Sequence, residues 1–324
     1  MNDDYKPIFI TGGLGFIGGH LAEHLLQQGY RVTLYDCNRH GSQPWHQTLQ
    51  NHPGCRCIAG DLRDAALLNQ SLTSHSIVFH LAANSNSRQS LRDREVDLQH
   101  GIQATWTLLQ AMADQNVPQI VYASSQLVYG EPQTPLLRES LGPLLPISPY
   151  GASKLAGEGI ISAYHHLNRI QGTILRFGNI IGPRMSYGIV RDFVEKLQKN
   201  PKTLEILGDG QQQRNYLHVR DSVAAMLTTA QRPLGKTCEV YNVGNQDYIS
   251  ALEVAQIVAE VVVGSSEIDY QTTGGQRGWR GDVPHLRCDL SKIKMLEWQP
   301  SCNSATAVAQ AARETLNFQQ SAYV

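Results

Sequence analysis

Over the first 180 residues, short runs that are apolar on both faces alternate with stretches of helical periodicity. That alternation narrows the folds open to the chain to a parallel sheet covered on both sides. "PIFIT" (7–11), "RVTLYD" (31–36), "CRCIAGD" (55–61), "SIVFHLAA" (76–83), "QIVYASS" (119–125) and "GTILRFGNI" (172–180) read as its strands. A strand buried on both faces needs helices above and below it, and the segments 16–29, about 95–115 and 148–169 supply them. The expected class is α/β with a doubly wound parallel sheet, in which ligands lie beyond the carboxyl ends of the strands.

After residue 180 the pattern turns irregular. "GPRMSYG", "LGDGQQQRNY" and "TTGGQRGWRGD" are polar, loop-rich and arginine-bearing, with helices at about 188–199, 219–230, 250–263 and 303–317 between them. The expected organisation is a dinucleotide-binding domain over 1–180, re-entered by about 215–245. A smaller, discontinuous α/β substrate-binding region then spans mainly 181–324.

Composition excludes several partners. A net charge of −1 with 17% charged residues is no footprint for a phosphate backbone, so no nucleic acid is expected. The first apolar run (8–10) is too short for a signal peptide, and no apolar stretch approaches the ~20 residues of a membrane span. Six cysteines are scattered without paired CxxC spacing, which points to free thiols in a reducing cytoplasm. Cys55 and Cys57 are too close for a zinc knuckle, and no His, Asp or Glu cluster has ligand spacing, so no metal is expected.

"TGGLGFIGGH" (11–20) falls where the first strand turns into the first helix. Gly12, Gly15 and Gly18 keep the turn tight and let the backbone approach a pyrophosphate. They leave the helix amino terminus, at Phe16 and Ile17, aimed at the negative charge. Asp36 closes the second strand, accepts hydrogen bonds from ribose hydroxyls and repels a 2′-phosphate, which favours NAD over NADP. Arg39 and His40 follow it closely. Asp61 and Leu62 end the third strand, where Asp61 either flanks the adenine or caps the next helix.

"SPYGASKLAGE" (148–158) sets Tyr150 and Lys154 four apart, on one helix face. A phenol with a pKa near 10 is a poor base at neutral pH, and a neighbouring ammonium and a cationic nicotinamide both favour its ionised form. Ser125 comes from the nearest strand end, in "YASSQLVYG" (122–130).

"TGGLGFIGGHL", "SSQLVYG", "YGASK", "RFGNIIGPR", "GDGQQQRNYLHVRD" and "RGWRGD" together resemble the extended short-chain dehydrogenase/reductases. The resemblance covers essentially the whole chain and is to the nucleotide-sugar epimerase/dehydratase branch, most like UDP-galactose 4-epimerases. It implies a Rossmann fold, bound NAD and a UDP-sugar substrate. It also implies a homodimer through helices near 95–115 and 150–169. By this resemblance Ser125, Tyr150 and Lys154 are catalytic. Asn38, Leu81, Ala82 and Ala83 join the cofactor residues, and Asn84, Ser85 and Gln126 face the sugar or the nicotinamide end. Asn179, Arg214 and Tyr216 serve the diphosphate, with either Arg277 or Arg280, and Asp282 serves the uridine ribose.

Two positions sort the branches. Dehydratases in the family carry Asp-Glu after the catalytic serine or threonine, and UDP-glucuronate decarboxylases a glutamate at the second position. This chain has Gln126 and Leu127, and leucine is neither acid nor base. What remains is chemistry that needs only oxidation and re-reduction, an epimerase or a simple keto-sugar reductase, and the resemblance implies C4 epimerisation of UDP-glucose or UDP-galactose. A uronate epimerase or decarboxylase ("GPRM", 182–185, resembles the latter), a keto-sugar reductase and a non-catalytic NAD(P)-sensing module are the competing readings. Leu286 falls where some epimerases carry a tyrosine that excludes N-acetyl sugars, so N-acetyl forms stay open. His100 either replaces a water-holding asparagine or is an ordinary helix histidine. His80 is expected to pack in the core, and His165 and His166 to lie on the surface.

Overall fold

The computed structural model describes residues 7–38, 41, 43–232, 235, 237–264 and 267–321; Arg39 and His40 lie outside them. Six strands build the first part of the sheet: β1 (Ile8–Thr11), β2 (Val32–Asp36), β3 (Cys55–Ala59), β4 (Ile77–His80), β5 (Gln119–Ser125) and β6 (Gln171–Phe177). With strand Glu239–Val243 they form a seven-stranded sheet among the described residues, in the order 239–243, β6, β5, β4, β1, β2, β3. β1 pairs in parallel with both β2 and β4, β2 with β3, and β4 with β5. The chain order reverses between β1 and β4. In a doubly wound sheet that reversal opens the crevice at the strands' carboxyl ends.

Helices α1 (Phe16–Gln27), α2 (Pro44–Gln50), α3 (Ala65–Ser71), α4 (Ala104–Asp114) and α5 (Pro149–Asn168) connect these strands. Phe9, Leu68, Leu108, Met112, Ile120, Ile161 and Ile174 form one fully buried cluster, with Tyr35 and Tyr122 among them. The all-buried β1, β4 and β6 explain why those segments read as continuous apolar runs rather than alternating ones.

Two compact units divide the chain. One comprises Met1–Val128, Pro149–Arg176 and Met226–Tyr241, the other Tyr129–Ser148, Phe177–Ala225 and Asn242–Val324. In the second, Asn179–Ile181 pairs in parallel with Tyr216–His218, and Thr203–Ile206 with Asp269–Thr272. Helix Ile189–Lys199 buries Val190, Phe193, Val194 and Leu197, the i, i+3, i+4, i+7 stripe of a surface helix. Helix Ala251–Val263 opens on a capping box. The Ser250 N–H donates to Glu253 Oε2 at 2.6 Å, and the Glu253 N–H donates to Ser250 Oγ at 3.1 Å.

Three expectations are corrected, and one helix, α2, is added. The strand expected over 172–180 stops at Phe177, because Gly178 turns the chain and Asn179–Ile181 finds Tyr216–His218 as its partner. The helix expected at 95–115 begins as a wide π turn, Leu98–Gln103, before α4 takes over. Helix α2 lies in a stretch that carries no clear apolar period; Trp45 and Leu49 bury it. His165 is not on the surface but 6% exposed, with Nδ1 3.0 Å from the Ile170 carbonyl oxygen.

Candidate active site

The glycine loop is tight for steric reasons. Gly12 has φ +67°, and a Cβ there meets the Ala82 nitrogen at 2.8 Å, so the end of β1 lies against the chain leaving β4. A Cβ on Gly18 runs into the Gly12 carbonyl. Gly15 is the N-cap of α1, extended and without any side-chain cap, so backbone N–H groups at Phe16 and Ile17 are left for an anion. Asp36 Oδ2 accepts the Leu14 N–H at 3.0 Å and Oδ1 the Asn38 N–H at 2.8 Å, which holds the carboxylate over the same loop. A loop with room for no side chain, a free helix terminus and an acceptor at the end of β2 suit a dinucleotide.

Asp61 neither caps a helix nor stands free. Asp64 caps α3 by accepting the Leu67 N–H at 3.0 Å, while Asp61 Oδ2 pairs with Arg63 Nη2 at 2.7 Å. The Arg63 hydrogen bonds hold the Asp61 carboxyl at about 2. Leu62 is buried, and Leu81, Ala82 and Ala83 are half-buried beyond β4. The Leu81 and Ala82 N–H groups both donate to Thr11 Oγ1 at 3.2 Å. His80 is fully buried between Thr11 and Thr105, its Nδ1 and Nε2 at 2.8 and 2.9 Å from their hydroxyls, and burial pushes its pKa down to about 3.

Ser125 ends β5, and Tyr150 and Lys154 rise from the first turns of α5. The Tyr150 phenol is hydrogen-bonded to the Ser125 side chain. Lys154 is 3% exposed, donates to the Ala123 carbonyl at 2.7 Å, and sits 4.9 and 5.9 Å from the ring centroids of Tyr122 and Tyr150. Burial lowers the ammonium to about 8, against the opposing pull of the Asp97 and Glu158 carboxylates. Burial and the Asp97 charge push the Tyr150 phenol up to about 12, and the Ser125 hydrogen bond only partly offsets them. Activation of the phenol by Lys154, expected from the spacing, is therefore not dominant in this arrangement. A positive charge added beside the ring lowers it.

Around this trio, Gln126 is buried and the Leu127 N–H donates to Ser125 Oγ at 3.2 Å. Asn84 is buried, and its amide is spent inside its own loop, donating to Asn86 O and Asp97 Oδ1, both at 3.0 Å. Ser85 is exposed. His100 is half-buried.

The second unit gathers Arg214, Arg277 and Asp282. Arg214 Nη2 pairs with Asp282 Oδ1, and its Nη1 donates to the carbonyls of Gln213 (2.7 Å) and Pro284 (2.9 Å). Arg277 pairs with Glu131 at 2.6 Å and donates to the Asp282 carbonyl at 2.5 Å. Both arginines thus hold acceptors within the protein, while Arg280 is exposed. Tyr216 is buried with its phenol on the Asn179 side chain, and burial raises it to about 12. Leu286 is buried too.

Three residues escaped the sequence reading. Asp97 is a single acid ahead of a helix, which reads as solvated. Glu131 gives no signal of its own. Glu158 stands four after Lys154, so the helix spacing placed it on the same face and could have found it.

The description "NAD dependent epimerase/dehydratase family" matches residues 8–244, most of the chain. The chain belongs to this family. A crystal structure of UDP-galactose 4-epimerase superposes with a TM-score of 0.83 at 32% identity, covering 95% of this chain and 98% of that one. A UDP-glucose 4-epimerase of Halalkalibacterium halodurans is 31% identical over 278 residues, 78% of this chain and 80% of its own. UDP-glucuronic acid 4-epimerase from Bacillus cereus, in complex with UDP-glucuronic acid and NAD, gives a TM-score of 0.85 at 26% identity, covering 97% of this chain and 99% of that one. These family members act on different sugars. The cofactor of this family member is NAD, and the glycine loop and Asp36 suit it. Among the described residues, no group of three or more His, Cys, Asp or Glu is placed to hold a metal ion, and no helix is long and apolar enough to cross a membrane.

Proposed function

We propose that this chain interconverts UDP-glucose and UDP-galactose, inverting the C4 hydroxyl through a transient 4-keto sugar. The observation that carries this reading is the turn after Ser125. Gln126 and Leu127 offer no carboxylate where elimination or decarboxylation needs one, so oxidation and re-reduction are the chemistry left to Ser125, Tyr150 and Lys154.

In this reading Gly12, Gly15 and Gly18, with the N–H groups of Phe16 and Ile17, hold the pyrophosphate of NAD, and Asp36 its adenosine ribose. When bound, NAD supplies a hydride acceptor and donor at the sugar carbon. Tyr150 takes the proton of the C4 hydroxyl and returns it, and Ser125 Oγ hydrogen-bonds the same oxygen. Lys154 keeps a positive charge beside the phenolate. Arg214 and Arg277 bind the diphosphate, since planar guanidinium donors match two oxygens at once. Asp282 takes the uridine ribose. Trp106 and Leu98, 48% and 55% exposed near α4, and Leu167, 80% exposed on α5, support a second copy of the chain docking there.

Met185 of "GPRM" speaks against the decarboxylase reading as the first choice, because its buried sulfur accepts the Gly182 N–H at 3.3 Å and so serves packing.

The test is proton NMR of the purified chain with UDP-galactose and no added cofactor. Growth of the UDP-glucose anomeric signal is expected. Conversion of UDP-glucuronate or UDP-N-acetylglucosamine alone moves the substrate, and silence with every nucleotide sugar, NAD supplied, overturns the enzyme reading.

A pH dependence follows from Lys154. Burial brings its pKa down to about 8 from the 10.5 of an ordinary lysine, so the ammonium is lost on the alkaline side well before a free lysine would lose it. Activity is expected to fall as pH rises through about 8. Stability moves the other way, rising between about 8 and 10.5 as the buried charge disappears while the unfolded chain still binds the proton. A kcat/KM profile flat to pH 10 overturns the assignment.

A further inference from the structure

Asp97 is a buried carboxylate for which the reaction above has no use. It precedes the π turn Leu98–Gln103 and is 2% exposed. Its Oδ1 accepts the Asn84 amide at 3.0 Å, while its Oδ2 is buried without any hydrogen-bond partner in the protein. An unsatisfied buried acceptor is costly, more so on a charged group, and a ligand donor relieves that cost. The same carboxylate acts electrostatically on both Tyr150 and Lys154. Its charge therefore stands near the phenol that must reach a sugar hydroxyl.

The Lys154 ammonium, held on the Ala123 carbonyl, offsets part of this charge, while Glu158 is bound to Arg176 at 2.7 Å.

Resting on the nucleotide-sugar reading, we infer that Asp97 determines substrate class: Oδ2 accepts a hydrogen bond from a hydroxyl of a neutral hexose, and its charge turns away a hexuronate. Two carboxylates in one poorly solvated site repel. Even at about 8 Å with an effective dielectric constant near 20, the repulsion weakens binding by on the order of tenfold or more.

The experiment is isothermal calorimetry on the full, NAD-loaded chain with UDP-glucose and UDP-glucuronate, for the wild type and Asp97→Asn. The wild type is expected to bind UDP-glucose at least about tenfold more tightly. Asp97→Asn is expected to shrink that ratio about tenfold, mainly by strengthening UDP-glucuronate. Should Asp97→Asn lose NAD or its cooperative melt, Asp97→Ser, which keeps an acceptor without the charge, is read by the same ratio. An unchanged ratio in a folded variant, or tighter binding of UDP-glucuronate by the wild type, overturns the inference alone. Binding of neither sugar overturns the UDP-glucose reading with it.

Discussion

Replacing Tyr150 by phenylalanine is expected to lower turnover by at least about a thousandfold while leaving bound NAD in place. The change removes one oxygen and no packing volume of consequence, so the ring keeps its place on α5. What disappears is the group that can exchange a proton with the sugar oxygen, and positioned acid–base groups typically contribute about 10²–10⁴ in rate. Lys154 does not depend on that oxygen for its position, because it is anchored on the Ala123 carbonyl at 2.7 Å. Gly12, Gly15 and Asp36 lie on other elements, so the cofactor loop is untouched. The measurements are kcat on the preferred UDP-sugar and the NAD released per chain on denaturation. Turnover within tenfold of the wild type assigns the proton to another group. Loss of both turnover and NAD means that the hydroxyl also holds the cofactor site together, since the ring is kept.

Much of this site was readable because its chemistry is local in sequence. Tyr150 and Lys154 are four apart, so helical geometry alone puts them on one face, and the glycine loop is contiguous between β1 and α1. The strand 119–125 was legible to the residue, since Gln119 and Ser125 bound an apolar run on both sides. What the sequence did not disclose depends on partners far along the chain. Arg214 and Asp282, 68 residues apart, both suit a nucleotide, yet that they hold each other appears only once the chain is folded. The run through Phe177 and Ile180 reads as one strand because apolar residues continue across Gly178. Competition between strand partners, not local propensity, splits it. Asp97 was invisible for a plainer reason: a lone acid beside a helix is usually solvated, and its burial is a tertiary fact.

Replacing Glu158 by leucine is expected to cost about 3–5 kcal/mol of stability, the penalty for stranding one partner of a buried ion pair. Glu158 stands on α5 four residues after Lys154, and Arg176 is in β6; their side chains are 7% and 5% exposed. Glu158 Oε2 accepts Arg176 Nη2 at 2.7 Å, and Oε1 accepts Arg176 Nε at 3.0 Å and the Ser124 hydroxyl at 2.5 Å. Without the carboxylate, the buried guanidinium loses the counter-charge that meets it at 2.7 Å, and it cannot shed its proton to escape. The expected loss is a large share of the ~5–15 kcal/mol that holds a typical domain together. It should appear as a melting temperature lower by about 6–20 °C, at roughly 2–4 °C per kcal/mol. Adding salt should rescue little, because buried pairs are weakly screened. The double variant Glu158→Leu/Arg176→Leu should recover most of the loss, since apolar replacement of a whole buried pair is often neutral. A single variant melting within 2 °C of the wild type overturns the assignment. The pair also reaches the chemistry, because the Glu158 carboxylate helps Lys154 keep its proton. In any folded Glu158 variant the alkaline fall in activity should therefore move to lower pH, a shift that loss of stability alone does not produce.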